Sequence, residues 1–424
     1  VKRWRNLCLL LATLARAASP EEKPHMPHWL SLNGQLRYRA EGNTGLGFTA
    51  SRDQNYLLER FRLSLGFKPS RYVRVIGELQ DARAFWRPNP DAGVRDVFDL
   101  RQAYVELGAE KAPVLLRAGR QTLLFGSERV IGAADWGNTA RVFDAVALKF
   151  THHADRIDIF SSSVVMNDTD HWDHHQDGNN LHGVYASLAS ILPGARLEPY
   201  LLFRTIPLAR GENGRTGRGN GWTSGIRLAG SARARWRYEL EGLAQTGKLA
   251  GARQRAWAAT LQIERRLPQL PWDFALLGEY NYASGDRRPN DGVIQTFDQL
   301  YPTNHGIYGI SDQIGRRNTS NVRAAASIRP LKRLAIRGEH HSFWLASRFD
   351  ALYAASGGVS IAAVPDGATA THVGRELDVV ADVRLSPRYV LGAQFGHFYS
   401  GAFVKRYSPG ADRNFYALFL DVRL

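Results

Sequence analysis

Apolar and polar positions alternate with a period of two along most of the chain. In "LSLNGQLRYR" Leu30, Leu32, Leu36 and Tyr38 fall on one face, with Ser31, Asn33, Gln35, Arg37 and Arg39 on the other. "FRLSLGFK" sets Phe61, Leu63, Leu65 and Phe67 against Arg62, Ser64 and Gly66, and "ELDVVADVRL" sets Leu377, Val379, Ala381, Val383 and Leu385 against Glu376, Asp378, Asp382 and Arg384. About eighteen such segments can be marked, give or take two: 30–40, 56–68, 71–82, 97–108, 114–125, 141–150, 155–166, 181–191, 196–205, 221–230, 236–247, 254–265, 272–283, 320–329, 333–345, 373–386, 388–399 and 413–424. No stretch reaches the roughly 20 consecutive apolar residues of a membrane helix.

The connections alternate as well. Every second one is short and turn-like ("KPSR", "GAEKAP", "HHAD", "LPGA", "RPLKR", "SPR"), and most of those between are long, polar and rich in Gly and Asp. A soluble sandwich has no reason to sort its loops in this way. An all-β transmembrane antiparallel barrel does, with short periplasmic turns and long extracellular loops, oily faces to lipid and wet faces to a lumen. Aromatic residues at strand ends (Tyr56, Trp236, Trp257, Trp272, Tyr389) are either interfacial girdle residues or ordinary core aromatics. The final strand, with Tyr416, Leu418, Leu420, Val422 and Leu424 alternating, has the form by which outer-membrane proteins are handed to the barrel assembly machinery, although it ends in Leu instead of an aromatic.

Composition changes this picture in two places. The first eighteen residues carry a basic head (Lys2, Arg3, Arg5), an apolar stretch from Leu7 to Leu14 and an A-x-A pattern at Ala15–Ala17. They read as a cleaved signal peptide, leaving residues 19–424 as the barrel in the outer membrane of a Gram-negative bacterium. The one Cys lies within that leader. The remaining charge is positive, and of the 55 basic residues in the chain 47 are arginine. These arginines form no run or stripe, which argues against nucleic acid; they stand singly on wet faces, usually with a carboxylate nearby.

Lumen charges then become the candidate chemistry. An eighteen-stranded barrel encloses an aqueous channel, and arginine at its narrow part favours anions. Arg62, Arg120, Arg227 and Arg337 fall near mid-strand, with Glu239, Glu339 and Asp378 at similar height, which predicts an arginine-dominated constriction braced by carboxylates. Each can instead be a charge paired within the barrel wall. In "APVLLRAGRQTLLFG" parity puts Arg117 and Arg120 on opposite faces unless Gly119 hosts a bulge that turns both inward. Depth favours Arg120 as the lumen residue, since an arginine facing lipid at the midplane costs about 2–4 kcal/mol and one near the interface costs far less.

Three segments also carry a family likeness. "DLRQAYVELG…LLRAGRQTLLFGSERVIGAADWGNTARVFDAVALKF" (99–150), "NYASGD" with "FDQLYPTNHGIYGISDQIGRRN" (281–318) and "HVGRELDVVADVRLSPRYVLGAQFGHFYSGAFV" (372–404) resemble the alginate-export family of outer-membrane proteins. The resemblance implies an eighteen-stranded barrel with an electropositive lumen that passes alginate. It further implies that Arg120 in the G-R-Q segment is a lumen arginine and that Glu376 and Asp378 in the E-L-D segment are lumen carboxylates.

The resulting expectation is a passive outer-membrane channel for anionic solutes, an acidic polysaccharide or its fragments or small organic anions, with no cofactor and no catalysis. Two alternatives stand beside it: a sleeve holding a partner protein, and a barrel lipid hydrolase using His340 and Ser342, which share a face but lack a nucleophile motif or third partner. Asp168, Asp170, His171, Asp173 and His174 crowd one outer segment and include possible Ca²⁺ or transition-metal ligands, though without a ligand motif; a solvated loop is the expected reading. His152 and His153 read as turn residues, and His340 and His341 as lumen-wall residues. The long segment 284–319 is either a plug folded into the pore or a surface loop.

Overall fold

The computed structural model of the chain describes residues 26–423 except residue 234; the expected signal peptide, residues 1–18, lies outside the described residues. The described chain forms a closed antiparallel barrel of eighteen strands. They are β1 (Leu30–Thr44), β2 (Gln54–Ser70), β3 (Val73–Phe85), β4 (Asp96–Leu107), β5 (Val114–Gln121), β6 (Phe143–His152), β7 (Asp155–Met166), β8 (His174–Ser187), β9 (Ala195–Arg210), β10 (Thr216–Ala232), β11 (Trp236–Leu249), β12 (Ala252–Arg266), β13 (Ala275–Ala283), β14 (Thr319–Leu331), β15 (Leu334–Leu345), β16 (His372–Arg384), β17 (Tyr389–Ser400) and β18 (Arg413–Arg423). Each strand pairs with its neighbours in sequence, and β18 closes on β1 with Leu36 opposite Val422. No helix of the described residues is long and apolar enough to cross a membrane, and the strands do the crossing.

The two faces of each strand divide as the alternation predicts. Leu32, Phe61, Leu65, Phe67, Val146, Leu261, Val322, Leu377 and Val379 point outward and are exposed, while Arg37, Arg39, Glu41, Arg60, Arg62 and Glu239 point inward and are buried. Such an inside-out distribution is stable only with hydrocarbon outside. Trp236, Trp257 and Trp272 are exposed on the outer surface, whereas Tyr56 departs from the girdle reading: it is buried inside, where its hydroxyl donates to Glu41 at 2.6 Å.

Two strands depart from the expected bounds for reasons that bear on function. β5 ends at Gln121 instead of running to residue 125, because Leu123 and Phe125 turn inward and pack with Val130, Ile131, Phe160, Leu181 and Leu202 in an apolar core inside the barrel. β8 starts at His174, earlier than hydropathy suggests, since its polar N-terminal part pairs with β7 despite lacking apolar alternation. A second internal core joins Phe48, Tyr308, Ile314, Phe343, Phe398 and Phe403, the last in the short helix α1 (Ala402–Tyr407). Segments from the loop end of the barrel thus occupy its interior.

Candidate functional site: a lumen crossed by two loops

Segment 122–142 leaves the wall at Gln121 and crosses the lumen. At one end it meets β1 and β2. Arg37 and Arg60 lie directly opposite each other across this strand pair, both turned inward. Like charges in that position repel, and the segment supplies what offsets them. Arg37 donates to the carbonyls of Asp135 (3.1 Å), Trp136 (3.1 Å) and Gly137 (3.0 Å). Arg60 donates to the Asp135 and Gly137 carbonyls and to both Asp135 carboxylate oxygens at 3.2 Å, and Arg62 reaches Asp135 Oδ1 at 2.7 Å. Arg39 bonds the Trp136 carbonyl and stacks over its ring at 4.0 Å. Burial works to raise the Asp135 carboxyl, but Arg62 and Arg60 outweigh it and hold the group well below the ordinary carboxylate range.

The other end of the segment meets β11 and β13, across a closed ring of eighteen strands from β2. There Arg129 bridges Glu239 (3.3 Å) and Glu279 (3.0 Å) and donates to Asn281 at 3.2 Å, while Ser127 donates to Glu239 at 2.5 Å. Segment 284–318 lies beside it and reads as the inward member of the two readings left open by its length. Its Arg316, fully buried, bonds Glu241 on β11 and Thr260 on β12, both at 3.1 Å. Its Asp298 pairs with Arg204 on β9, and Ser311 donates through N–H and Oγ to Glu376 on β16 at 2.8 and 2.6 Å. Gly309 precedes that contact at φ +83°, where a Cβ would lie 2.5 Å from the Glu376 carboxylate. The two segments pair with each other: a parallel bridge joins Ile131 and Tyr301, Thr303 N–H donates to the Glu128 carbonyl at 2.9 Å, and Trp136 stacks on His305 at 4.4 Å.

The residues expected at a constriction are distributed through this arrangement. Arg62 holds Asp135. Arg227 binds Glu198 at 2.5 Å and Glu239 at 2.8 Å, and Glu239 also receives Arg129. Glu339 is buried between Arg323, Arg337 and His341, and Asp378 is buried 3.7 Å from His341 Nε2. Arg337 is nearer the turn end, 43% exposed, in a cavity of about 260 Å³ lined also by Arg237, Arg266 and Arg329 with Glu264 and Asp273.

Arg117 and Arg120 separate at Gly119, which adopts φ +125° and could not carry a Cβ without meeting the Ala103 carbonyl at 2.2 Å. Arg117 lies opposite the buried Glu106, bonds it at 2.9 Å and shares a lumen cavity with Lys149 and Asp158. Arg120 occupies the other row, opposite Ala103 and Asp144, where it binds Asp144 at 2.9 and 3.2 Å and the Asp173 carbonyl at 3.1 Å. It therefore stands in an acidic cluster at the barrel rim, apart from Arg62 and Arg227.

Of the crowded His and Asp residues outside, Asp168 accepts local N–H groups, Asp170 pairs with Arg95 at 2.7 Å, His171 is exposed and His174 begins β8; Asp173 alone is buried, facing Asp99. His340 stands on the outward row beside Leu377 with Ser342 at 3.0 Å, and His341 faces inward. Arg37 and Arg39 were legible as wet-face residues; Arg60 was not singled out. Asp135, Arg129 and Arg316 were missed as members of the site, and the available signal was the set of apolar residues Leu123, Phe125, Val130 and Ile131 in a segment between strands.

A closed eighteen-stranded barrel with lipid-facing apolar rows and a charged interior is an outer-membrane barrel of the channel class. Within that class, the chain belongs to the alginate export family, whose model matches residues 28–417. No curated protein matches the sequence. Among solved structures it is similar to OccD3 (OpdP) of Pseudomonas aeruginosa, at TM-score 0.63 and 10% identity, covering 94% of this chain and 91% of that one. It is likewise similar to Pseudomonas aeruginosa OpdO (TM-score 0.61, 14% identity, 93% and 97% covered) and Acinetobacter baumannii OccAB4 (0.61, 12%, 95% and 100%). At these identities the likeness is one of fold.

Proposed function

We propose that the protein passes anionic solutes by passive diffusion, an acidic polysaccharide of the alginate type or its fragments or small organic anions, with segments 122–142 and 284–318 closing the path in this conformation. The observation that carries the reading is the arginine wall of β1 and β2. Arg37 and Arg60 stand face to face and are held largely by neutral carbonyls, with one loop carboxylate, Asp135, lying among Arg60 and Arg62. A permeant carboxylate would take the place of Asp135 once the segment withdraws, and the arginines would pass it along by charge-assisted hydrogen bonds. Arg337 and its neighbours form the approach from the turn end; Glu239 and Glu376 dock the loops, while Arg227 and Glu339 pair within the barrel wall and Asp378 lies beside His341. Residues 1–18 serve as the export signal, and the barrel assembly machinery and outer-membrane lipid are the partners of the remainder. A sleeve for a partner protein finds little support, because the chain's own segments take up the interior.

The test is planar-bilayer reversal potential under a salt gradient, for the native chain and for a variant with residues 127–138 replaced by a short Gly-Ser link. The shortened variant should conduct more and prefer anions, and adding Arg60→Gln with Arg62→Gln should bring the reversal potential close to zero. A cation-selective potential in the shortened variant, or no conductance from it, would overturn the reading.

A further inference from the structure

At the rim where β5 leaves the wall, carboxylates gather without enough positive charge to match them. Asp96 and Asp99 come from β4, and Asp173 comes from the connection between β7 and β8; all three are buried, and each offers a carboxylate oxygen within 4.8 Å of the others. Their partners are few. Asp96 Oδ2 accepts from Gln80 at 2.8 Å, Asp99 Oδ2 accepts the Asp173 N–H, and Asp173 Oδ1 accepts the Asp168 N–H at 2.8 Å. The guanidinium at this cluster is Arg120, committed to Asp144 at 2.9 Å and 3.8 Å from Asp99. The Oδ1 atoms of Asp96 and Asp99 are shut off from solvent with no hydrogen-bond donor among the described residues, on side chains only 1% exposed. Buried carboxylate oxygens are normally paired, hydrogen-bonded or bound to a metal.

The geometry points to a divalent-cation site formed by Asp96, Asp99 and Asp173. The donors are all carboxylate oxygens, and the nearby histidines turn elsewhere: His171 to Asp168, and His175 to Asp144 and Asp177. An all-oxygen set suits a hard cation, and Ca²⁺, which tolerates irregular coordination, suits it better than Mg²⁺. Two ligands on the wall and one on the outer connection mean that the ion fastens residues 167–173 over the end of β5, next to the point where segment 122–142 turns into the lumen.

The experiment uses the mature barrel refolded into detergent free of lipopolysaccharide and stripped with chelator, its folding checked by heat-modifiable gel mobility. Tb³⁺ luminescence sensitised by the neighbouring Trp172 should rise to saturation at one ion per chain, and Ca²⁺ should displace it. Asp96→Asn and Asp99→Asn should each weaken binding at least tenfold, and Asp170→Asn, outside the cluster, should leave it unchanged. Added Ca²⁺ should slow amide exchange in residues 167–173 of the native chain. Absence of saturable Tb³⁺ luminescence in the folded native barrel would overturn the site, as would equal affinity in the native chain and a folded Asp99→Asn or Asp96→Asn variant.

Discussion

The β1–β2 wall and the wall that begins across the lumen at β11 and runs round to β16, with only β17 and β18 between it and β1, are built on opposite charge logic. On β1 and β2 the strands contribute the cations, Arg37, Arg39, Arg60 and Arg62, and the crossing segment contributes mainly carbonyl oxygens. On the far wall the strands contribute Glu239, Glu241, Glu279 and Glu376, and the loops contribute full cations and hydroxyls in return: Arg129, Arg316, Ser127 and Ser311. The far wall is also braced from within by Arg227 and Arg323. Neutral acceptors leave the β1–β2 side with an excess of positive charge, although Arg39 also pairs with Glu41, while on the far side Arg129, Arg316, Arg227 and Arg323 are each paired with carboxylates and Glu376 is met by the hydroxyl and N–H of Ser311. In the function proposed above, the first wall is the one that handles anions, and the second anchors the loops.

The sharpest way to break this contrast is on the anchoring wall. Arg316→Met leaves Glu241 buried without its cation, a loss of about 3–5 kcal/mol. Segment 284–318 should then undock, seen as faster amide exchange around residues 297–316 and higher bilayer conductance. Adding Glu241→Leu should restore much of the protection, since the uncompensated charge is gone. Unchanged exchange in Arg316→Met would mean that the internal apolar cores, not the ion pairs, hold the loops.

A smaller effect is expected on the arginine wall. Asp135→Asn removes the carboxylate that the segment brings to this wall but keeps the carbonyl acceptors, so docking of segment 122–142 should weaken by roughly 1–3 kcal/mol. Brief openings with stronger anion preference should appear in single-channel records. If openings appear with no gain in anion preference, the arginines exposed by the loss of Asp135 do not set selectivity.

The smallest effect is in pH. At the outer end of β13, Asp286 is pushed up to about 6 by burial, against the Arg288 N–H and with help from Asp350, whose Oδ2 accepts the Asp286 N–H at 2.8 Å. Its raised value means that the docked loop favours the protonated form. That stabilisation is complete below the ordinary value of 3.8 and is lost as pH rises through about 6. Exchange around residues 284–296 should therefore be faster at pH 7.5 than at pH 5, by an amount on the order of 1 kcal/mol, and Asp286→Asn should flatten the dependence. Asp135, held far below the carboxylate range, should leave the arginine-wall contacts unchanged over the same interval.

The strands were the legible part of this protein. All eighteen segments marked from alternation correspond to strands, with ends displaced where the period itself fails. β5 shortens because Leu123 and Phe125 continue its apolar pattern while serving an internal core, and β8 lengthens because main-chain pairing with β7 needs no apolar alternation. The candidate site was legible in its residue types and less so in its partners. Arg62, Arg227 and Glu239 were expected inside from face and depth, and the structure has them turned inward in ion pairs. Arg129, Asp135 and Arg316 were not, because a loop has no period from which a direction can be read.

The sequence by itself determined the membrane-facing surface, a strand number near eighteen and the charged interior, since a two-residue period and the cost of polar groups in hydrocarbon fix which face of each strand meets lipid. Only the tertiary structure decided that the interior is crossed by two loops, that Arg117 and not Arg120 takes the inward row beside Gly119, and which charge meets which. The docking of the loops depends on contacts between residues far apart in the chain, such as Arg62 with Asp135, 73 positions away, and Arg316 with Glu241, 75 away. Pairings over that distance are set when the chain closes, by the mutual burial of groups that no local pattern connects.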